Sequence, residues 1–138
     1  MSVVKLQDII GVKKKKIEPL DEIEIISNIT ADIVGKLVNY SGLTKTELIN
    51  VLPVSARTIG RLSDSKIKNM ALAEHLLCLA KVTAEGLEVF ENSRLLANWL
   101  KKPHAKLSGI EPYELLETVY GCNIVINILG QIKYGNIG

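Results

Sequence analysis

Fifteen consecutive residues without a charge, Thr118 to Ile132, constrain this chain more than any other stretch. With Asn123, Asn127 and Gln131 in it, the run is too short and too polar to span a bilayer. It reads as a helix from about Gly121 to Tyr134. Cys122, Ile124, Val125, Ile126, Ile128, Leu129 and Ile132 surround most of its circumference. Asn123, Asn127 and Gln131 form the only polar stripe, spaced i, i+4 and i+8. An amphipathic surface helix buries one face and offers charge to water on the other. This one has almost no charge to offer. The expectation is therefore burial on two sides, by its own domain and by a partner chain. Each fully buried aliphatic side chain is worth about 1.5–3 kcal/mol, so exposing several would be costly. A second copy of the chain, a different partner, or both would relieve this.

The rest of the chain is punctuated as helices. Thr30 is placed to cap a helix whose Ile33, Val34, Leu37 and Val38 share one face and which ends near Ser41-Gly42. Thr44 and Glu47 have capping-box spacing, so a second helix starts at Lys45 and buries Leu48, Ile49 and Leu52 before Pro53 stops it. Ser55 caps a third short helix over Ala56 to Leu62. A longer helical pattern runs from Asn69 to Phe90, with Leu72, Leu76, Leu79 and Ala80 on one face. Leu95, Leu96, Trp99 and Leu100 give the next helix, ended by Pro103. Lys106 to Ile110 is a turn in which Gly109 supplies a backbone shape closed to other residues. Pro112 opens a short helix buried by Leu115 and Leu116, and Gly121 lets the last helix come close. Aromatic residues make up only 4% of the 138-residue chain, consistent with an aliphatic helical core.

The N-terminal stretch is the least periodic. A basic tetrad, Lys13 to Lys16, precedes an acidic cluster at Glu18, Asp21, Glu22 and Glu24. It reads as a solvated, partly disordered arm, or alternatively as an arm touching DNA phosphates. Ile23, Ile25 and Ile26 suggest one short strand or staple.

The segment G-L-T-x2-E-L-x3-L-x-V-S-x2-T-I-x-R, from Gly42 to Arg61, resembles the Xre-type helix-turn-helix DNA reader. Such a reader lays its third helix in the major groove, which places Ser55, Arg57, Thr58 and Arg61 against DNA. Between Leu43 and Asn69 five Lys or Arg face two acids, a supporting surplus of positive charge. Two positions depart from the pattern. Pro53 replaces the usual glycine and fixes φ near −65°, and Gly60 loosens the third helix.

The C-terminal third carries F-x8-W-L-x2-P-x3-L-x-G-x2-P-x2-L-L-x-T-x2-G. These are Phe90, Trp99, Leu100, Pro103, Leu107, Gly109, Pro112, Leu115, Leu116, Thr118 and Gly121, followed by Ile132-Lys133-Tyr134-Gly135. This order resembles the toxin-binding domain of the Xre/MbcA/ParS antitoxins, partners of RES-domain toxins. The resemblance implies that Trp99, Pro103, Leu107, Gly109, Pro112 and Gly121 are structural, with Trp99 as a core anchor. It further implies that Asn127, Gln131, Lys133, Tyr134, Gly135, Asn136 and Ile137 face the toxin, the last four plugging its NAD pocket. Ser108, Gln131 and the Lys133-Tyr134 pair depart from the more usual glycine, arginine and acidic residue. The implied architecture is all-α. A helix-turn-helix bundle (30–90) follows an arm (1–29) and is joined by a long helix to a small toxin-binding domain (91–138).

Read this way, the chain is an antitoxin that blocks an NAD-consuming RES-type toxin and represses its own operon as a homodimer on operator DNA. The alternative is a helix-turn-helix repressor without a toxin. No phosphate loop, metal-ligand spacing or nucleophile–base set points to an enzyme, a cofactor or a metal. His75 and His104 have no ligand partners at helical spacing. Cys78 and Cys122 read as buried free thiols of a reducing, cytoplasmic setting, and no signal peptide is legible.

Overall fold

A computed structural model describes residues 6–11, 19–62 and 66–135, and it is all-helical there, with only two isolated bridges and no strand. Nine α-helices run in order: α1 (Leu6–Ile10), α2 (Pro19–Asn28), α3 (Ile33–Ser41), α4 (Lys45–Asn50), α5 (Ala56–Gly60), α6 (Met70–Phe90), α7 (Ser93–Leu100), α8 (Pro112–Leu115) and α9 (Val119–Lys133). A 3-10 turn, Ala105–Leu107, lies between α7 and α8.

Helix α6 is the axle. It is capped by the Asn69 side chain, which accepts from the Leu72 N–H at 3.1 Å. Leu72, Ala73, Leu76, Leu77, Leu79, Ala80 and Val82 are all buried, so apolar residues face neighbours on nearly every side. That all-round pattern marks a helix inside a core. Helix α9 is its principal partner, and α1, α2, α3 and α7 complete the sheath. Gly86 allows the α7 contact, because a Cβ there would lie 2.3 Å from a Leu96 methyl.

The N-terminal segment differs from its sequence reading. Ile23, Ile25 and Ile26 lie in helix α2, not in a strand: Ile25 is buried, Ile26 half-buried and Ile23 exposed. Ile25 and Ile29 fall four residues apart on one face and join the same core as Ile9 of α1. A Lys81–Glu22 ion pair ties α2 to α6. Packing on α6 outweighs the local alternation that suggested a strand. The Lys13–Lys16 tetrad lies outside the described residues.

Thr30 does not cap α3. It forms an antiparallel bridge with Lys66, reinforced by Ile67 N–H donating to the Ile29 carbonyl at 2.8 Å, and α3 starts three residues later without a side-chain cap. Its other end is as expected, with Gly42 in the left-handed region at φ 79°. The capping box of α4 is formed in both directions: Thr44 Oγ1 accepts from Glu47 N–H at 3.1 Å, and Glu47 Oε1 accepts from Thr44 N–H at 2.9 Å.

Glu47 also fastens α4 to the C-terminal half. Its other oxygen receives Lys101 Nζ at 2.9 Å, and its carbonyl accepts from the Tyr113 hydroxyl at 2.6 Å. The hydrogen bond from the Thr44 backbone, followed by that from Lys101, holds the Glu47 carboxyl below its ordinary range. A depressed folded-state pKa gives stability that is present above about 4.5 and is lost as pH falls. Replacing Thr44 by alanine is expected to cost about 1 kcal/mol. The variant E47Q is expected to flatten the acid limb of a pH–stability curve from urea titrations. An unchanged acid limb would remove Glu47 from the acid response.

Candidate functional site

Two exposed faces carry the residues singled out from the sequence. On the first, Ser55 caps α5 by accepting from Thr58 N–H at 3.2 Å, and its hydroxyl also meets that of Thr58 at 3.1 Å. Ile59 is buried and anchors the helix. Ser55, Arg57, Thr58 and Arg61 are all exposed on the outside of this short turn, and neither arginine makes an ion pair among the described residues. The helix ends at Gly60, short of the expected Leu62, with Arg61 N–H bonded back to Arg57 and Thr58. The turn at Pro53 contains no residue with positive φ, as the proline requires. Between α3 and α5 lies an open depression of about 410 Å³, floored by Val34, Val38, Ile59 and Leu62.

The second face is built by the corner that delivers α9. Trp99 is half-buried and packs against the core. Its ring lies 5.6 Å from Phe90 and 6.0 Å, edge-on, from His104, forming an aromatic clasp at the rim of the core. Pro103 follows the end of α7 and is exposed, and Leu107 is half-buried in the 3-10 turn. Ser108 (φ 56°) and Gly109 (φ 84°) both adopt left-handed backbone, and His104 N–H closes the loop on the Ile110 carbonyl at 3.2 Å. Pro112 is buried at the first turn of α8.

From α8 the chain reverses sharply into α9. Thr118 caps α9 by accepting from Gly121 N–H at 2.9 Å, so the helix begins at Val119, two residues before its sequence reading. The threonine three residues ahead of Gly121 was the available signal. Two side chains close the reversal on the Leu116 carbonyl: His75 Nε2 at 2.7 Å and Cys122 Sγ at 3.6 Å. His75 is thus a buried, hydrogen-bonded core residue. Both cysteines are free and buried, and burial pushes the Cys78 thiol up to about 11 and the Cys122 thiol up to about 12. Neither supplies a thiolate at neutral pH.

Part of the burial expected of α9 is supplied by the chain itself. Cys122, Val125, Ile128 and Leu129 face α6, while Ile124, Ile126 and Ile132 are half-buried by the chain's own fold. Ile126 lines a depression together with Leu6, Lys81 and Ala84. The face left open is polar and aromatic, not aliphatic. Asn123, Asn127, Gln131, Lys133, Tyr134 and Gly135 are exposed along it. Tyr120, which the sequence reading passed over, heads the same face at 78% exposure, and Tyr134 closes it at 73%. Lys106 Nζ reaches Gln131 Oε1 at 3.2 Å, Lys133 pairs with Glu88, and Lys133 Nζ lies 5.5 Å over the Tyr134 ring. Asn136 and Ile137 lie outside the described residues.

Among the described residues, no His, Cys, Asp and Glu cluster is arranged to hold a metal ion, and no helix is long and apolar enough to cross a membrane. Among the described residues the protein is all-helical and offers a polar helix face beside an aromatic corner. Residues 85–135 match the family described as the antitoxin Xre/MbcA/ParS C-terminal toxin-binding domain. A protein named Antitoxin Xre from Photorhabdus laumondii is 26% identical over 105 residues, covering 75% of this chain and 71% of its own length. Another Antitoxin Xre, from Pseudomonas putida, is 30% identical over 101 residues, covering 72% and 62% respectively. A protein named Prs ADP-ribosylating antitoxin, from a Sphingobium species, is 27% identical over 128 residues, covering 85% and 80%. Residues 85–135 thus carry the toxin-binding domain of the Xre/MbcA/ParS antitoxins, and the relatives that match most of the chain are antitoxins.

Proposed function

We propose that this antitoxin neutralises a RES-type, NAD-consuming toxin by laying the end of α9 over the toxin's active-site entrance. The observation that carries the reading is where the matched domain ends. Its last helix closes on an exposed tyrosine and a glycine at φ 72°, beside a polar helix face. An aromatic ring at a flexible end is suited to fill a pocket made for a flat ring or a ribose. Lys133, Tyr134 and Gly135 lead the contact, Asn127 and Gln131 lie on the same face further up, and Asn136 and Ile137 continue the chain. A relative whose name couples an antitoxin to ADP-ribosylation is in keeping with a toxin of NAD chemistry. The direct test is co-expression with the adjacent gene, tagged only on that neighbour. A toxic neighbour that co-purifies with this chain is the expected result. A harmless neighbour that never co-purifies would overturn the reading in favour of a repressor acting alone.

In the same proposal the α5 face represses the operon from a two-fold operator in the cytoplasm. Two exposed arginines without ion-pair partners among the described residues, held by a capped and anchored turn, support it. One arginine pairing with a guanine contributes about 1–3 kcal/mol of discrimination. The double variant R57A/R61A is therefore expected to weaken operator binding at least about a hundredfold at fixed salt while still neutralising the toxin. Gel-shift and growth-rescue assays on the same preparation would read both. Loss of both activities in a folded protein would show that the two faces do not act separately.

A further inference from the structure

Five basic side chains lie between Leu43 and Asn69, and the arginines of α5 are only two of them. The other three are Lys45, Lys66 and Lys68. All three are exposed, and none makes an ion pair among the described residues. The acids of this half are engaged with other lysines: Asp32 pairs with Lys36 at 3.4 Å and Glu47 with Lys101 at 2.9 Å. Asp64 lies outside the described residues.

Two of these lysines stand on backbone that is fastened on both sides. Lys66 forms the antiparallel bridge with Thr30, Ile67 N–H donates to the Ile29 carbonyl at 2.8 Å, and the Asn69 side chain caps α6. Ile67 is buried at 4% exposure. In extended backbone successive side chains point to opposite sides, so burying Ile67 turns Lys66 and Lys68 outward together, about 6.6 Å apart. The segment adjoins α5. Ala31 and Asp32, next to the bridged Thr30, border the depression that Ile59 and Leu62 floor, and Lys45 lines the same depression.

We propose that Lys66 and Lys68, with Lys45, form a clamp for the phosphodiester groups of DNA, separate from the base-reading arginines. The clamp rests on the operator-binding reading of α5 and supplies what that helix lacks. Helix α5 has five residues and ends at a glycine, too short to fix its own register in a groove. Phosphate contacts fix position, and base contacts fix sequence. Residue chemistry divides in the same way. Arginine presents a planar fork to two acceptors, whereas lysine is a compact charge that binds phosphate without reading a base edge. Because the 66–68 backbone is already tied to α2–α3 and α6, little ordering remains for the contact to pay for.

The test is fluorescence anisotropy of the full chain on two labelled duplexes of equal length, the sequence upstream of its own gene and a shuffled version. Salt is varied from about 50 to about 200 mM. The variant K66Q/K68Q is expected to lower the slope of log affinity against log salt by about 1.8, since each phosphate contact contributes about 0.9. It should weaken both duplexes by the same factor, at least about tenfold at about 0.1 M salt, whereas R57A should chiefly weaken the upstream duplex. K66R/K68R keeps the charge and should keep the wild-type slope. A preference for the upstream duplex with a slope that K66Q/K68Q leaves unchanged would overturn the clamp and spare the α5 reading. Equal wild-type binding of both duplexes, with a slope that still falls, would keep the clamp and remove the α5 reading. A wild type that binds neither duplex, or binds phosphatidylglycerol vesicles more tightly than either, would overturn the assignment to DNA.

Discussion

Replacing Gly121 by alanine is expected to unfold this protein or bring it close to unfolding. A Cβ at that position would lie 1.8 Å from the Leu115 carbonyl oxygen and 2.8 Å from its carbon. Both are backbone atoms, so no rotamer change relieves the clash. The obstacle is also held in place. Leu115 leads directly into Leu116, whose carbonyl is bound by His75 and Cys122 from α6 and α9, and Thr118 caps α9 at the same glycine. Separating α8 from α9 would break that reversal and shift α9 on α6, the largest helix contact in the fold. Overpacking commonly costs about 1–3 kcal/mol, and a backbone obstacle places this case at or above the upper end. That is a large part of the about 5–15 kcal/mol that holds a domain together. Urea unfolding followed by circular dichroism reads the effect, with G60A as the control. Gly60 lies in a helix with open space around it, so alanine there is expected to raise stability by up to about 1 kcal/mol. A G121A protein as stable as the wild type would mean that α8 and α9 are not packed as described.

The part of the fold that can be read from the sequence is the part that local chemistry decides. Thr44 with Glu47, Ser55, Gly42, Pro112 and Gly109 each announce a cap or a turn, because a side-chain oxygen, a ring or a missing Cβ acts within three or four residues. The all-helical character and the central α6 follow from apolar spacing. What the sequence conceals depends on distant partners. Ile9, Ile25 and Ile29 are core residues only because α6 lies beside them, and short helices of five and ten residues leave too little periodicity to show it. Thr30 has the chemistry of a cap but is taken by a bridge to Lys66, a partner in the loop before α6. Trp99 has the size of a core anchor and packs against the core, but its ring contacts with Phe90 and His104 were not legible in the sequence.

The same division runs through the candidate site. Asn123, Asn127 and Gln131 were legible as a stripe because their spacing is helical. Tyr120 was not, because a tyrosine ahead of a glycine reads as the approach to a helix. Only the Thr118 cap shows that the helix has already begun. The scarcity of charge on α9 was legible in the sequence, but how much of its apolar surface the chain's own fold covers was not. The isoleucines are buried or half-buried by the chain's own fold, so the open face is polar and aromatic. An obligate partner is needed where aliphatic area would otherwise stand in water. Amides and phenols tolerate both states, as a protein that must meet and release a partner requires.

Cutting the chain after Lys133 is expected to abolish neutralisation while leaving the fold intact, and the two halves of that expectation have separate physical grounds. The fold loses little, because Tyr134 is exposed and no buried contact depends on it. Two helix-end hydrogen bonds disappear, Tyr134 N–H to the Gly130 carbonyl at 3.1 Å and Gly135 N–H to the Ile132 carbonyl at 3.0 Å. Water replaces them, at a cost of about 1 kcal/mol or less each. Lys133 keeps its pairing with Glu88, so the last turn stays fastened to α6. The proposed interface, by contrast, loses its terminal ring, and tyrosines buried in a partner's pocket are among the residues whose removal costs about 2 kcal/mol or more. A drop in toxin affinity of at least about thirtyfold is therefore expected for Y134A. The truncated chain should lose more, since it also lacks whatever Asn136 and Ile137 contribute. Thermal unfolding and growth rescue, measured on wild type, Y134A and the truncation, separate the two grounds. Full rescue by a stably folded truncation would move the toxin contact off the end of α9 and onto Asn127, Gln131 and the face above it.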